Sequence, residues 1–242
     1  MWWKFGKPMP ATTLTSYCYS NMFQGCTSLT SAPALPATTL ASYCYSHMFD
    51  GCSALTTAPT TLTATTLADY CCQYMFQNCT SLTTVPVLPA TTLANHCYFW
   101  MFAGCSSLTT APALLATDLT NYCYCLMFAN CTSLVNAPAL SATTLAQSCY
   151  SNMFDGCTSL VNAPVLPATT LAQGCYAFMF RTCTSLTYIK CLATDISATN
   201  CTKDWVKDVT ASGTFVKNPS MSSWTTGTYG IPSGWTVQDA TA

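Results

Sequence analysis

Apolar and polar positions recur along the chain with one fixed step. Leu14, Leu40, Leu67, Leu93, Leu119, Leu145 and Leu171 follow one another at 26 residues, with one interval of 27. A first cysteine keeps step at Cys18, Cys44, Cys71, Cys97, Cys123, Cys149, Cys175 and Cys201, and a second follows eight residues later from Cys26 to Cys183. The unit reads ATTLAxYCYxxMFxGCTSLTxAPxLP. Seven copies occupy 11–192, preceded by an incomplete coil over 1–10, and 193–242 holds a degenerate eighth copy and a candidate C-terminal cap.

Each column predicts local structure by the substitutions it accepts. The residue before the leucine is Thr39, Thr66, Thr92, Asp118, Thr144, Thr170 or Asp195, an exchange that suits a helix N-cap. Before the second cysteine stand Gly25, Gly51, Asn78, Gly104, Asn130 and Gly156, types that tolerate the left-handed conformation closing a helix. Between them Leu14, Cys18, Met22 and Cys26 step by four and give one apolar stripe, so a helix of about three turns is expected. Phe23 and its counterparts fall off that stripe, which predicts a tightened or distorted last turn. The following Ser-Leu-Thr-x-Ala-Pro-x-Leu-Pro reads as a strand of three to five residues, its pairing limited by Pro33, Pro59, Pro86, Pro112, Pro138 and Pro164.

One short strand and one short helix per 26 residues is the arithmetic of an α/β repeat solenoid, a right-handed leucine-rich repeat horseshoe with strands on the concave side and helices on the convex side. No single coil buries its own stripe, so stability accrues by stacking.

The unit resembles the BspA-like family of bacterial surface leucine-rich repeats, whose AF-x-x-C-x-x-L followed by an LP pair is similar to the MF-x-G-C-x-S-L and L-P here. The resemblance covers residues 11–192, with a repeat longer than that family's usual unit and Ala32 where a larger aliphatic residue is usual. It implies binding rather than catalysis, since members include adhesins. The tail Gly213 to Asp239 resembles C-terminal segments of repeat proteins from gut anaerobes and their phages.

Charge then narrows the partners. The 242 residues include only 7 Lys+Arg and 8 Asp+Glu, all the acids being Asp, for a formal net charge of −1. Between Lys7 and Arg181 there is no Lys or Arg. Nucleic acid and anionic membrane surfaces are therefore not expected partners, and no apolar run approaches the roughly 18 residues of a membrane span. A secretory signal is not evident at the Met-Trp-Trp-Lys start.

Eighteen cysteines suggest disulfides or metal. On a helix, Cys18 and Cys26 would lie about 12 Å apart, and same-column cysteines at helix-packing distances of roughly 8 to 10 Å, both beyond disulfide reach. They read as small buried hydrophobes, with some pairing among the off-column Cys72, Cys125 and Cys191 as the alternative. Zinc-type CxxC pairs with His are absent, and no cofactor is implied. His47 and His96 have no recurring acidic or Ser partner, and no GxSxG, P-loop, HExxH or dinucleotide fingerprint occurs. An enzyme is not expected.

Two faces remain for a ligand. On the strand side Ser31, Thr57, Thr84, Thr110, Asn136, Asn162 and Tyr188 form a polar uncharged ladder suited to hydroxyl-rich partners such as glycans, or else simply a solvated strand. On the helix side Tyr74, Phe99, Trp100 and Leu126 would be neighbours in an exposed apolar patch, unless partly buried between helices. Tyr19, Tyr45, Tyr98, Tyr124, Tyr150 and Tyr176 read as the edge of the core with hydroxyls in water. The Thr pairs, such as Thr38 and Thr39, allow a flat hydroxyl array of the ice-binding kind, but Asp in the second position twice favours capping. At the ends, Trp205 takes the place of a Met, Trp224 and Trp235 could cover the last coil, and Trp2, Trp3 and Phe5 are expected to dock a further domain, a second protomer or a virion component. The expected function is a non-enzymatic module recognising a cell-surface glycan or protein, extracellular, at a cell surface or on a virion, with a phage tail or fibre component as one form. The alternative is a structural repeat protein that self-assembles.

Overall fold

The computed structural model describes residues 9–241. The expectation tied to Trp2, Trp3 and Phe5 lies outside these residues. Seven coils and a degenerate eighth stack into a solenoid, one hydrophobic core running through all of them.

The predicted helices do not form. Each coil instead carries a ribbon of consecutive tight turns, and its hydrogen bonds show why. Every second N–H closes a three-residue step, as from Cys18 to Thr15, Ser20 to Tyr17, Met22 to Tyr19, Gln24 to Asn21 and Cys26 to Phe23. The N–H groups between them leave the coil: Tyr17, Tyr19, Asn21, Phe23 and Gly25 donate to Ser42, Cys44, Ser46, Met48 and Asp50 of the next one. An α-helix would keep all of these donors within itself. The ribbon requires a left-handed residue at every fourth position, and Tyr17, Asn21 and Gly25 have φ of 60°, 57° and 69°. These fall at the third position of alternate turns, the signature of type II. The same three columns repeat, with Tyr43, His47 and Gly51, and later His96, Trp100 and Gly104. Gly25 and its counterparts are thus the last of three left-handed sites rather than helix C-caps.

Left-handed conformation costs a non-glycine residue roughly 1–2 kcal/mol. Two terms of similar size offset it: five inter-coil backbone bonds per boundary, each worth roughly 0.5–1.5 kcal/mol net, and ring stacking along the columns.

The strict period of four also settles the Phe column. Positions 44, 45, 48, 49 and 52 are all buried, so the ribbon turns two adjacent columns inward where a helix stripe would favour one. Phe23 through Phe180 stack coil on coil with centroids 5.3–5.9 Å apart and rings within 8° of parallel. The tyrosine column stacks similarly, Tyr98 on Tyr124 at 5.9 Å. From Tyr45 to Tyr176 these tyrosines are buried more deeply than expected, and the hydroxyl of Tyr45 has neither water access nor a partner among the described residues.

The Thr/Asp column is likewise not a set of N-caps. Thr13 bridges Thr39, Thr66 bridges Thr92, Asp118 bridges Thr144 and Thr170 bridges Asp195, all parallel, so this column is a line of β-bridges at an exposed corner. Thr suits such a position by β-propensity, and Asp195 fits by receiving the Ser197 N–H at 3.0 Å.

The strand segments are shorter than predicted. Most are single bridges, since the Ala-Pro step interrupts pairing. Among the described residues a continuous sheet forms only at the C-terminal end, with β1 (Tyr188–Cys191), β2 (Thr214–Lys217) and β3 (Thr236–Asp239) parallel in that order. Ile189 pairs with Phe215 and Phe215 with Val237. Trp205, fully buried, stacks on Trp224 at 5.7 Å and donates its indole N–H to the Gly230 carbonyl at 2.8 Å. Trp235 donates to Thr210 and packs over Gly213, where any Cβ would lie 2.8 Å from the indole.

Candidate binding faces

The strand-side ladder is in register and open. Ser31 bridges Thr57 and Thr57 bridges Thr84; Thr110 bridges Asn136, which bridges Asn162, which bridges Tyr188. Bridged coils are about 4.8 Å apart, so like side chains stand in a row at that spacing. All are exposed except the half-buried Tyr188. Among the described residues the carboxamides of Asn136 and Asn162 take no hydrogen-bond partner, whereas the Thr84 hydroxyl receives the Ala58 N–H.

Beside this ladder lies a feature the sequence reading missed. Val135 and Val161 replace the threonine of the neighbouring column and stand 43% and 39% exposed. Val87, Leu115 and Val165, on the far side of the Pro column, are 58%, 53% and 47% exposed. Segments 28–36, 54–63, 81–89, 107–115, 133–141 and 159–167 carry no charged residue. The signal was present as a Thr-to-Val change beside Asn136 and Asn162.

The opposite face is organised differently. Tyr74 meets Phe99 edge-on at 5.5 Å and Trp100 at 5.8 Å, and Phe99 lies 6.3 Å from Trp100, with Leu126 next in the Trp100 column. The four are brought together as expected, but each is half-buried. Alongside, Tyr17, Tyr43, Tyr70, His96 and Tyr122 form a continuous stack with centroids 4.5–4.7 Å apart. Stacked rings turn their faces to one another and only their edges outward. Burial lowers the His96 pKa, against a weaker pull from Asp69, and its Nδ1 is buried without a partner among the described residues. His47 does have an acidic neighbour, Asp50, at 3.1 Å.

All eighteen cysteines are free, and all but Cys18 and Cys26 are buried. The geometric reason differs from the expected one. Backbone-bonded coils are closer than packed helices, within disulfide range for same-column pairs. In the second column the thiols point instead at backbone: Cys52, Cys79, Cys105, Cys131, Cys157 and Cys183 donate to the Phe carbonyl of the preceding coil at 3.0–3.1 Å. Burial pushes the Cys52 thiol up to about 11 and Cys44, Cys123, Cys131 and Cys175 up to about 12. Thiols held this firmly in the neutral form are poor nucleophiles and metal ligands. No helix among the described residues is long and apolar enough to cross a membrane.

Comparison with known families gives one match, the BspA type leucine rich repeat region, in six copies over residues 12–125, 68–163 and 124–202. No curated protein and no solved structure matches the chain.

Proposed function

The chain belongs to the BspA-type leucine-rich repeat family, and from that membership we propose that it recognises a cell-surface glycan or protein through its strand-side face. The family is commonly a protein-binding and adhesion scaffold, generally non-enzymatic and often secreted or surface-exposed. The observation that carries the assignment to this face is the placement of exposed aliphatic side chains. In the interior coils the exposed large hydrophobic residues, Val87, Leu115, Val135, Val161 and Val165, all lie on the strand side. Exposed apolar groups gathered beside a polar ladder mark interaction surfaces. The absence of charge there favours a neutral, hydroxyl- and methyl-rich partner. Tyr74, Phe99, Trp100 and Leu126 contribute less in this reading, because their apolar surface is already spent on one another. A phage tail or fibre component, displayed on a virion, is one form of the same reading.

The test is binding of labelled protein to gut bacterial cells with and without their surface polysaccharide, beside a mammalian matrix panel. Loss of binding in a Val135→Ser/Val161→Ser variant that keeps its melting temperature is the expected result. Unchanged binding by that variant, together with loss in Tyr74→Ser/Trp100→Ser, moves the site to the aromatic face. No binding on either panel, with concentration-dependent mass, supports the self-assembling alternative.

A further inference from the structure

Along the turn ribbon the coil boundaries are hydrogen-bonded with a single polarity, whereas on the strand side bonds also run from the later coil to the earlier, as from Thr56 to Thr30. In the ribbon, donors always belong to the earlier coil and acceptors to the later one, from Tyr17 to Ser42 at the first boundary through Gly174 to Thr199, Phe178 to Lys203 and Thr182 to Lys207 at the last. The first ribbon therefore turns outward the carbonyls of Ser16, Cys18, Ser20, Met22 and Gln24, which accept no backbone bond among the described residues. Side chains at the same edge are open in columns closed elsewhere. Met22 is 51% exposed where Met48, Met75 and Met101 are 0%, and Cys18 and Cys26 are exposed where their later counterparts are buried. Tyr17, 61% exposed, leaves one face of the ring stack uncovered. A hollow of about 300 Å³ lined by Phe23, Gly25, Cys26 and Leu29 completes the edge.

The opposite end carries the complementary row. The N–H groups of Asn200, Thr202, Asp204, Val206 and Asp208 continue the donor columns and find no backbone acceptor among the described residues. That end is covered: Trp224 stacks on Trp205, and the carbonyls of Tyr229 and Gly230 take the Thr202 hydroxyl and the Trp205 indole N–H. Two N-terminal edges cannot pair ribbon to ribbon, since each ribbon offers acceptors alone there.

We infer that the N-terminal edge is a docking surface for the uncapped C-terminal end of another chain of this same repeat type, whose donor row extends the solenoid across the boundary. The occupant must bring alternate N–H groups at the ribbon spacing and a large apolar residue over Met22, as Trp205 follows Met179 in that column. Seven boundaries within the chain already show that geometry. The intact chain, with its own donor row capped, is excluded as an occupant.

A variant ending after Thr210 supplies the probe, because it bares the donor row. It is expected to assemble head to tail with concentration, and intact protein added to it should shorten the assemblies, being able to dock only by its acceptor edge. Alkylation of Cys18 and Cys26 should fall about tenfold in the assemblies, following their burial. A folded variant that stays monomeric overturns the inference, as does assembly in which Cys18 and Cys26 label as they do in the intact chain. Where the shortened variant does not fold, the chain carrying a second copy of 114–139 directly before Met9 decides. Leu140 is the counterpart of Met9, so the added coil is in register, and unchanged labelling of Cys18 and Cys26 then overturns the inference.

Discussion

The Cys52 thiol lies 3.0 Å from the Phe23 carbonyl across a coil boundary, and that carbonyl also receives the Cys26 N–H at 3.0 Å. The second cysteine column is thus a ladder of S–H donors sewn between coils, in a core that elsewhere relies on rings and aliphatic side chains. A small thiol fits because the neighbouring Phe rings are only 5.3–5.9 Å apart. Cys105→Ala removes both the donor and buried volume and should destabilise the chain by about 1–2 kcal/mol. Cys105→Val should cost at least as much, through crowding and loss of the bond. Denaturant melts of the two variants check this, and a neutral Cys105→Val would reduce the thiol to a spacer.

The buried thiols, in both columns and off them, set an alkaline limit on stability. Their pKa values are raised on folding, Cys52 to about 11 and Cys44, Cys123, Cys125 and Cys191 to about 12, by burial above all. For an acid whose folded pKa is raised, the unfolded chain loses its proton first, so stability is complete below about pH 9 and declines as pH climbs toward the folded values. With many such groups the slopes add. Melting temperature should be flat from pH 6 to 8 and fall steeply above pH 9, and a flat profile to pH 11 would contradict the burial of the cysteine columns.

The turn ribbon makes a prediction opposite in sign to that of a helix. Asn152 sits mid-ribbon with φ of 55°. In a helix, Asn152→Ala would stabilise by a few tenths of a kcal/mol, Ala being the better helix former. In the ribbon it places a Cβ-bearing residue of poor left-handed tolerance where Asn was suited, and should destabilise by about 1 kcal/mol. Gly104→Ala should cost more, since its Cβ would come 2.5 Å from the Asn78 side-chain oxygen. Far-ultraviolet circular dichroism without helical minima provides the companion measurement.

What the sequence revealed follows from which physics has a column-level signature. The repeat, the buried leucines and cysteines and the inward Met were legible because each column is chemically narrow, whereas the Phe column fell off the expected helix stripe. The ribbon was not, because a period of four in Leu14, Cys18, Met22 and Cys26 fits one helix face nearly as well. Left-handed backbone announces itself only where Gly or Asn fills the position, as at Gly25 and Asn78. At Tyr43, Trp100 and Leu126 neighbouring-coil contacts override local preference, and no single coil shows that. Asn21, His47, Asn152 and Asp204 were the available hint, four left-handed-tolerant residues in one supposed helix column. On the strand side, the polar ladder was legible as a column, whereas Val135 and Val161 gain meaning only once their exposure beside Asn136 and Asn162 is known.

The C-terminal segment should act as a seal, and Trp205 is the residue that tests it. Its indole is fully buried, stacks on Tyr176 at 6.3 Å and Trp224 at 5.7 Å, meets Phe215 edge-on at 6.1 Å and donates to Gly230. It therefore joins three parts of the chain: the seventh coil, the strand that continues the sheet and the segment that closes the end. Trp205→Ala should cost about 3–5 kcal/mol, the range for removing a buried large aromatic side chain. Because each coil touches only its neighbours, the loss should be local before it is global. Hydrogen exchange is expected to accelerate first over 199–235, while amides such as Tyr98 and Phe102 in the middle coils stay protected. Uniform acceleration along the whole chain would show instead that the solenoid unfolds as one unit and that the end segment is not a separable seal.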